Sequence, residues 1–551
     1  MSDVSQLNPM QGLGTLDLMI FGIYVLIIVA VGLFSSRKNK SSAEGYFLAG
    51  KSLPWWVVGA SLIAANISAE QFIGMSGSGF VIGLGISSYE IMSALTLVIV
   101  AKFFLPIFIE KGIYTIPEFV EKRFNKDLKT ILALFWIALF IFVNLASVLY
   151  LGGTALEIIM GIPLMYTAVG LALFALIYSV YGGLSSVVWT DVIQVIILVL
   201  GGFATTFIAI SFIGGDEGFW AGLSNMMAKA PSHFDMILDK SNPQFINLPG
   251  IAVIIGGLWV ANLYYWGFNQ YIIQRTFAAK SLHEAQKGLL FAGFLKILTP
   301  IIVVLPGISA FVILGDPELK ATISQVFSSS LLSQNLVPTM EHADRAYPWL
   351  VNFLPIGLKG LVFAALAAAI VSSLASMLNS TATIFTMDIY KEYFNKKACD
   401  KKLVNVGRFS AVVALLIALI ITPLLGTLDQ AFQYIQEYTG VVSPGILAVF
   451  LAGIFYKKTT SRGAIYGVLA SIPVALLLKL LPLKMPFMDQ MLYTFIISLV
   501  VIIFSSICTS ENDDDPKAII LTKSTFKTTG GFTIATYAML IITALIYVAF
   551  W

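Results

Sequence analysis

Long apolar runs follow one another along the whole chain, and short polar stretches separate them. Each run has about the 20 residues that an α-helix needs to cross the hydrocarbon core of a bilayer. The pattern therefore predicts an all-α polytopic membrane protein that forms a single transmembrane domain over residues 1–551. The fourteen predicted spans are 18–36, 53–80, 82–110, 130–152, 162–181, 190–213, 250–275, 286–314, 352–386, 406–425, 433–456, 463–482, 488–508 and 531–551.

The second apolar run is interrupted by polar residues near its centre, where lipid hydrocarbon is expected. Asn66, Ser68, Glu70 and Gln71 fall within six residues, and small residues flank them. A polar group stranded in hydrocarbon costs about 2–7 kcal/mol, so this segment must face protein, water or a ligand. Broken helices of this kind hold the solute and the coupling ion at mid-membrane in secondary transporters. The alternative is a helix inside the bundle whose polar side chains are satisfied by its neighbours.

The seventh run has a comparable interruption, at Gly256-Gly257 and Asn262. It opens a second group of five spans whose starting orientation is opposite to that of the first group. Hydropathy and span count therefore favour two inverted repeats, at residues 53–213 and 250–456. The helix at 18–36 then precedes the repeats, and three accessory helices at 463–551 follow them.

Composition agrees with a membrane protein and argues against several other classes. The 551 residues are 58% hydrophobic and 11% charged, whereas soluble domains carry about 25% charged residues. The net charge of +3 gives no basis for nucleic-acid binding. The chain has two cysteines and three histidines but no H-E-x-x-H or C-x-x-C motif. Neither a disulfide framework nor a metal or redox enzyme is therefore expected.

Lysine and arginine are distributed unevenly between alternate loops, which sets the predicted orientation. Residues 1–17 contain neither, whereas the loop that follows the first span is basic. Because cytoplasmic loops carry the excess of positive charge, both termini are predicted to lie outside. Among the cations assigned to the cytoplasmic loops are Arg37, Lys38, Lys40, Lys51, Arg275, Lys280 and Lys287.

Two charged residues fall inside predicted spans, Glu90 in the third and Lys296 in the eighth. Each isolated charge at mid-bilayer costs about 2.5–3.5 kcal/mol, so the two should pair or line a wet cavity. Together with nearby amides and hydroxyls they could saturate a neutral polyol, and Tyr89 and the segment 262–266 offer flat faces to a sugar ring. The alternative is a structural ion pair with ordinary aromatic packing and no substrate. The polar neighbours are Asn66, Gln71, Ser93 and Gln436.

The ninth span is rich in alanine and carries adjacent hydroxyl groups at Ser372 and Ser373. Hydroxyl and carbonyl oxygens suit a hard monovalent cation, and a broken helix would supply the carbonyl groups. Alternatively, both hydroxyl groups bond to their own helix and have no further role. Asp191 lies near the cytoplasmic end of the sixth span. It is either a cation relay or an N-terminal helix residue favoured by the helix dipole.

Five segments that carry these residues resemble the sodium/solute symporter family, and the resemblance covers nearly the whole chain. It implies the LeuT-type fold, in which ten helices form two inverted repeats of five. One further helix precedes this core and three follow it, in agreement with the predicted span count. The segments are 59–80, 181–191, 262–275, 369–386 and 433–443.

The resemblance also implies roles for individual residues of this sequence. Tyr265 would stack on a hexose as the inner gate. The remaining sugar ligands would be Asn66, Gln71, Glu90, Ser93, Asn262, Lys296 and Gln436. The outer hydrophobic gate would comprise Met75, Tyr89 and Phe432. The sodium ligands would be the carbonyl groups of Ala64, Ile67 and Ala369 and the hydroxyl groups of Ser372 and Ser373.

The expected function is secondary active symport, in which inward sodium flux drives uptake of galactose or a related hexose by alternating access. Sodium would leave past Asp191. Ala375 stands where family members with two sodium ions carry a hydroxyl group, so one sodium per sugar is expected. The expected partners are the hexose, sodium and the lipid bilayer, without nucleic acid, and the expected location is a bacterial inner membrane. Alternatives are a sodium symporter of inositol, sialic acid or proline, and a transporter-like sensor.

Overall fold

A computed structural model gives the fold, and the structure describes residues 13–35, 43–113, 115–327, 329–333, 336–427, 431–481, 485–510 and 514–551. Within these ranges the regular elements are helices, apart from an isolated bridge between Leu53 and Ala279. The all-α prediction is therefore confirmed for the part of the chain that the structure describes. The predicted first-loop cations Arg37, Lys38 and Lys40 lie outside the described residues.

Eleven described helices are long and apolar enough to cross a membrane, and two bent helix pairs bring the number to thirteen. A shorter apolar helix lies at Leu164–Ile177. In chain order, the labelled helices are α1 (Thr15–Ser35), α2 (Trp55–Asn66), α3 (Glu70–Val81), α4 (Leu84–Glu110), α5 (Lys126–Met160), α6 (Leu164–Ile177), α7 (Gly183–Lys229), α8 (Pro243–Ile255), α9 (Gly257–Phe268), α10 (Gln270–Phe277), α11 (Leu282–Gly315), α12 (Leu358–Phe394), α13 (Asp400–Ile421), α14 (Ala431–Phe455), α15 (Ser461–Leu480), α16 (Phe487–Thr509) and α17 (Gly530–Ala549). Shorter helices lie at Ala43–Leu48, Ile116–Arg123, Pro317–Val326 and Ala346–Val351.

The second predicted span is broken at the predicted place. Helices α2 and α3 meet at an angle of 59°, and Ile67 between them has an extended backbone. The Ser68 amide donates to Oε1 of Gln71 at 3.1 Å, and the Glu70 amide donates to Oγ of Ser68 at 3.1 Å. Short polar side chains thus offer the backbone hydrogen bonds that compete with continuation of the helix. The prediction of a broken helix is confirmed.

The seventh predicted span is also broken, at the predicted glycine pair. Helices α8 and α9 meet at 75°, and Gly256 between them has φ −117° and ψ −129°. A second interruption follows at Asn269, which has an extended backbone and separates α9 from α10. The apolar run predicted over 250–275 is therefore three helical pieces rather than one helix.

The predicted start of the sixth span at residue 190 is wrong, because α7 already begins at Gly183. Gly183 has φ +59°, and a Cβ atom there would lie 2.5 Å from the Tyr46 carbonyl oxygen. Glycine is the residue that tolerates both this left-handed backbone and this close approach. The polar stretch before Asp191 is thus helical, which carries Asp191 into the interior of α7 instead of leaving it at a helix end.

Burial divides the helices into a central and a peripheral group. The apolar window of α12 is 94% buried, and those of α4 and α11 are 78% and 72% buried. The corresponding values are 17% for α1 and 22% for α17. Because a helix that is buried on all sides must be surrounded by other helices, α12 lies at the centre of the bundle. The two terminal helices present most of their apolar surface outwards.

Helix α11 crosses the second half of the broken helix at very short range. A Cβ atom on Gly307 would lie 2.0 Å from the Ser76 carbonyl oxygen. A Cβ atom on Gly79 would lie 2.7 Å from the Val304 carbonyl oxygen. Small residues allow helix backbones in membranes to approach each other in this way. This contact holds α3 at its angle to α2.

Gly307→Ala is expected to lower the free energy of unfolding by about 1–3 kcal/mol, because the added methyl group collides with backbone that moves only with its helix. Thermal unfolding of purified protein in detergent measures the loss. Gly22→Ala in α1 is the matched control, since a Cβ atom there meets nothing within 4 Å. Equal midpoints for the two variants would contradict the close packing of α11 on α3.

Candidate functional site

A small cavity of about 50 Å³ lies beside the break between α2 and α3. Residues of α2, α3, α4, α9 and α14 form its wall, together with Met491 of α16. Seven of the eight predicted sugar-binding residues lie in this wall. The lining residues are Asn66, Glu70, Gln71, Met75, Tyr89, Glu90, Ser93, Ala261, Asn262, Tyr265, Trp266, Phe432, Gln436, Thr439 and Met491.

Lys296 is the predicted sugar ligand that does not line the cavity. Its side chain is fully buried in α11, and its ammonium group forms an ion pair with Oε2 of Glu90. The ammonium nitrogen also lies 5.4 Å from the ring centroid of Trp266, at cation–π distance. Lys296 therefore supplies the counter-charge of Glu90, which itself lines the cavity.

Side-chain hydrogen bonds connect the cavity wall across different helices. Ser93 donates to Oδ1 of Asn262 at 2.9 Å. Nδ2 of Asn66 donates to the Tyr265 hydroxyl at 2.9 Å, and that hydroxyl lies 2.5 Å from the hydroxyl of Tyr271. The end of α2 is thus connected through Tyr265 to α10.

Five buried polar atoms in this wall have no hydrogen-bond partner. Buried polar atoms in proteins are almost always hydrogen-bonded, and an unsatisfied one costs free energy. Three of the five atoms carry a hydrogen to donate and one is an amide oxygen, so the wall is suited to a ligand that both donates and accepts. The atoms are Oδ1 of Asn66, Oε1 of Glu70, the hydroxyl oxygen of Tyr89, Nδ2 of Asn262 and Nε1 of Trp266.

Aromatic rings close the cavity on two sides. The predicted outer-gate residues Tyr89 and Phe432 meet edge to face, with ring centroids 5.3 Å apart, and the third, Met75, is fully buried in the same wall. The predicted inner-gate residue Tyr265 meets Trp266 at 5.2 Å and Tyr271 at 5.8 Å. A drug-sized ligand usually occupies about 300–1,000 Å³. A solute that needs more than the cavity's volume of about 50 Å³ can therefore enter only if at least one of these aromatic side chains moves.

The predicted sodium ligands lie where α12 passes the end of α2. Ser373 donates to the Ala65 carbonyl at 3.1 Å, and Ala65 lies between the predicted carbonyl ligands Ala64 and Ile67. Ala369 precedes Ser373 by one helical turn, and all these residues are buried. Among the residues that the structure describes, no three His, Cys, Asp or Glu side chains are grouped to hold a metal ion. The oxygens here are hydroxyl and carbonyl groups, which suit a monovalent hard cation.

Ser372, the other hydroxyl residue of the pair, donates to Oδ1 of Asp191. Oδ2 of Asp191 accepts a hydrogen bond from Ser61 at 2.5 Å and lies 3.4 Å from a guanidinium nitrogen of Arg275. Asp191 is therefore connected directly to one of the predicted sodium ligands. This contact gives the predicted sodium exit residue a physical link to the serine pair.

The assignment of Arg275 to a cytoplasmic loop is wrong. Arg275 lies in α10, is 1% exposed, and also donates to Oγ of Ser61 at 2.7 Å and to Ser376. Its charge is matched by Asp191, which is fully buried. The helix break at Asn269 turns α10 back into the bundle, and that turn is not visible in hydropathy. Glu70 is not among the predicted ligands, although it stands next to the predicted ligand Gln71 and lines the cavity. Trp266 belongs to the predicted aromatic segment 262–266 but is not among the predicted ligands.

Residues 46–471 match the model of the sodium:solute symporter family. The chain belongs to this family. The symporter is 69% identical over 547 residues to the sodium/glucose cotransporter of Vibrio parahaemolyticus, and the alignment covers 99% of this chain and all of the relative. It is 34% identical over 487 residues to the human sodium/myo-inositol cotransporter 2, which covers 85% of this chain and 70% of that protein.

Two solved structures share the fold of this symporter. A Na⁺-coupled sialic acid symporter in a substrate-bound outward-open state matches with a TM-score of 0.77 and 24% identity, over 90% of this chain and 98% of that one. A nucleobase-cation-symport-1 family transporter in a closed conformation matches with a TM-score of 0.52 and 14% identity, over 89% and 98%. At these identities the likeness concerns the fold alone.

Family membership confirms the resemblance found in the sequence. The protein is a multi-pass membrane transporter that moves its solute together with sodium. The roles of the individual side chains remain predictions.

Proposed function

We propose that this symporter couples inward sodium flux to the uptake of a hexose, galactose or glucose, and that it carries one sodium ion per sugar. The observation that carries the proposal is the set of five unpartnered polar atoms in one cavity, between aromatic rings on two sides. A hexose offers hydroxyl groups that donate and accept, and an apolar C–H face that packs on an aromatic ring. The name of the 69%-identical relative supports the same substrate class.

The charge of the cavity favours a neutral solute. Glu90 is paired with Lys296, so this pair contributes no net charge to the wall. A carboxylate substrate such as sialic acid would meet the oxygens of Glu90, with the ammonium group of Lys296 behind them. Asn66, Gln71, Ser93, Asn262 and Gln436 would bind sugar hydroxyl groups, and Tyr265 would stack on the ring as the inner gate.

Sodium would be coordinated by carbonyl oxygens of Ala64, Ile67 and Ala369 and by the hydroxyl groups of Ser372 and Ser373. The bond from Ser373 to Ala65 supports this location, because it already joins α12 to the end of α2. A cation there would hold the broken helix in the position that shapes the sugar cavity. After closure of the outer gate and opening of the inner gate, sodium would leave past Asp191, which accepts a hydrogen bond from Ser372.

One sodium ion supplies enough free energy for accumulation. A unit charge crossing 100 mV gains about 2.3 kcal/mol, and a tenfold sodium gradient adds about 1.4 kcal/mol. The sum of about 3.7 kcal/mol corresponds to a sugar gradient of several hundredfold. The proposed topology places fourteen spans with two repeats of five in a bacterial inner membrane, with both termini outside, as the distribution of cations favours.

Counterflow in proteoliposomes tests the substrate class. Liposomes loaded with unlabelled galactose or glucose are expected to take up the labelled sugar when sodium is present on both sides, and much more slowly when choline replaces sodium. Myo-inositol, sialic acid and proline loaded in the same way are the controls. Counterflow driven by one of these solutes and not by either hexose would overturn the proposed substrate.

A further inference from the structure

Glu70 is a second carboxyl group in the wall of the proposed sugar cavity, and the roles assigned above do not use it. It lies at the start of α3 and is 5% exposed. Its amide is fixed by Oγ of Ser68 at 3.1 Å, and its Oε1 atom is buried without a hydrogen-bond partner. An unpartnered polar atom in a ligand cavity is available to the ligand.

No cation in the described part of the chain is paired with Glu70. The elements packed against the first turns of α3 carry several titratable side chains. Lys296, behind the cavity wall, is paired with Glu90, and Lys479 is paired with Glu437. The hydroxyl groups of Tyr265 and Tyr271 lie near enough to Glu70 to interact with it electrostatically. The side chains considered are Glu90, Tyr265, Tyr271, Lys296, Asp344, Arg345, Tyr347 and Glu437, and none of them forms an ion pair with Glu70.

The two glutamates of the cavity therefore have different electrostatic surroundings. Glu90 has a buried ammonium partner in Lys296. Glu70 is buried and has no cation partner among the described residues, and taking a carboxylate out of water without a partner costs free energy. A protonated carboxyl group can donate one hydrogen bond and accept another, which matches both functions of a sugar hydroxyl.

We propose that Glu70 is uncharged in this symporter and that its carboxyl group hydrogen-bonds directly to a hydroxyl group of the transported sugar. The inference rests on the proposed function in one respect, namely that the cavity holds a hexose. It adds a contact of a distinct chemical kind to the wall. Glu90 offers an anionic acceptor, whereas Glu70 offers a neutral donor and acceptor pair.

Binding of deoxygenated sugars to substituted protein tests this contact. Glu70→Ala is expected to weaken equilibrium binding of labelled galactose about tenfold or more. Glu70→Gln, which keeps a donor and an acceptor without charge, is expected to recover most of that loss and to bind within about threefold of the wild type. Glu90→Gln serves as the comparison, because it removes a charge from an ion pair and is expected to bind much more weakly than Glu70→Gln.

The deoxy series distinguishes direct contact from a structural effect. The wild type should bind one monodeoxygalactose more weakly than galactose, namely the one that lacks the hydroxyl group contacted by Glu70. Glu70→Ala should bind that deoxy sugar and galactose equally well. Removal of any other hydroxyl group should weaken binding to Glu70→Ala by the same factor as in the wild type. If Glu70→Ala does not fold, the same comparison is made with Glu70→Leu, whose folding is verified by thermal unfolding.

Three results would overturn the proposal. One is a loss of galactose affinity in Glu70→Gln as large as that in Glu70→Ala. Another is that every monodeoxygalactose loses affinity, relative to galactose, by the same factor in the wild type and in Glu70→Ala. The third is a change in the number of sodium ions per sugar in Glu70→Gln, which would show that an ionised Glu70 holds a cation. Failure of the wild type to bind any hexose would instead overturn the proposed function itself.

Discussion

Replacing Ser372 and Ser373 together with alanine is expected to abolish sodium-driven sugar accumulation. The double variant removes two hydroxyl ligands of the proposed sodium site and the bond from Ser373 to Ala65 that joins α12 to α2. A monovalent cation held by five oxygens cannot keep its affinity when two of them become methyl groups. Uptake of labelled galactose into proteoliposomes, with a sodium gradient and with choline, measures the effect. In liposomes that contain the variant, the internal galactose concentration should not rise above the external concentration.

Thr381→Val is the matched control for this experiment. Thr381 lies on the same buried helix, and its hydroxyl bonds back to the Met377 carbonyl at 2.8 Å. Losing such a bond within the helix has a small effect, so sodium-driven accumulation should persist. Accumulation that stays dependent on sodium in the Ser372/Ser373 double variant would show that the ion binds elsewhere.

Lys296→Met is expected to abolish sugar transport and to destabilise the protein by about 3–5 kcal/mol, because it leaves the Glu90 carboxylate buried without its partner. Lys296 is fully buried, so no water replaces the lost ammonium group without a rearrangement of α11. Thermal unfolding of purified protein measures the stability, and counterflow measures transport. Both effects should be larger than those of a substitution in the cavity wall that leaves the pair intact.

The double variant Glu90→Gln, Lys296→Met separates the two effects. Replacing the ion pair with neutral groups of similar size removes the unpaired charge, so most of the lost stability should return. Transport should not return, because the anionic acceptor in the cavity is still missing. If the double variant is no more stable than Lys296→Met, the ion pair does not determine the stability of this region.

The broken helix could be predicted from the sequence because its cause is local. Polar side chains at Asn66, Ser68 and Gln71 interrupt an apolar run, and those of Ser68 and Gln71 accept hydrogen bonds from backbone amides at the break between α2 and α3. The intramembrane positions of Glu90 and Lys296 could be predicted for a similar reason, since two charges in apolar spans require each other. Their pairing across 206 positions of sequence follows from this requirement.

The surroundings of Arg275 and Asp191 could not be predicted in this way. Both residues stand beside polar stretches that hydropathy assigns to loops, and only the backbone at Gly183 and Asn269 decides otherwise. The charge state inferred for Glu70 is also beyond the sequence, since it depends on which cations surround the side chain. Local pattern thus identifies polar residues inside the membrane, whereas tertiary packing decides their partners.

The central claim is that one sodium ion, held between the broken helix and the serine pair, forms the sugar cavity. Equilibrium binding of labelled galactose to the purified symporter, in sodium and in choline, tests it most directly. Linkage requires that an ion which shapes the cavity strengthens sugar binding, and a coupling of about 1.4 kcal/mol corresponds to tenfold. The account predicts at least tenfold tighter binding in sodium for the wild type and no difference for the Ser372/Ser373 double variant. Equal affinity of the wild type in the two salts would contradict it.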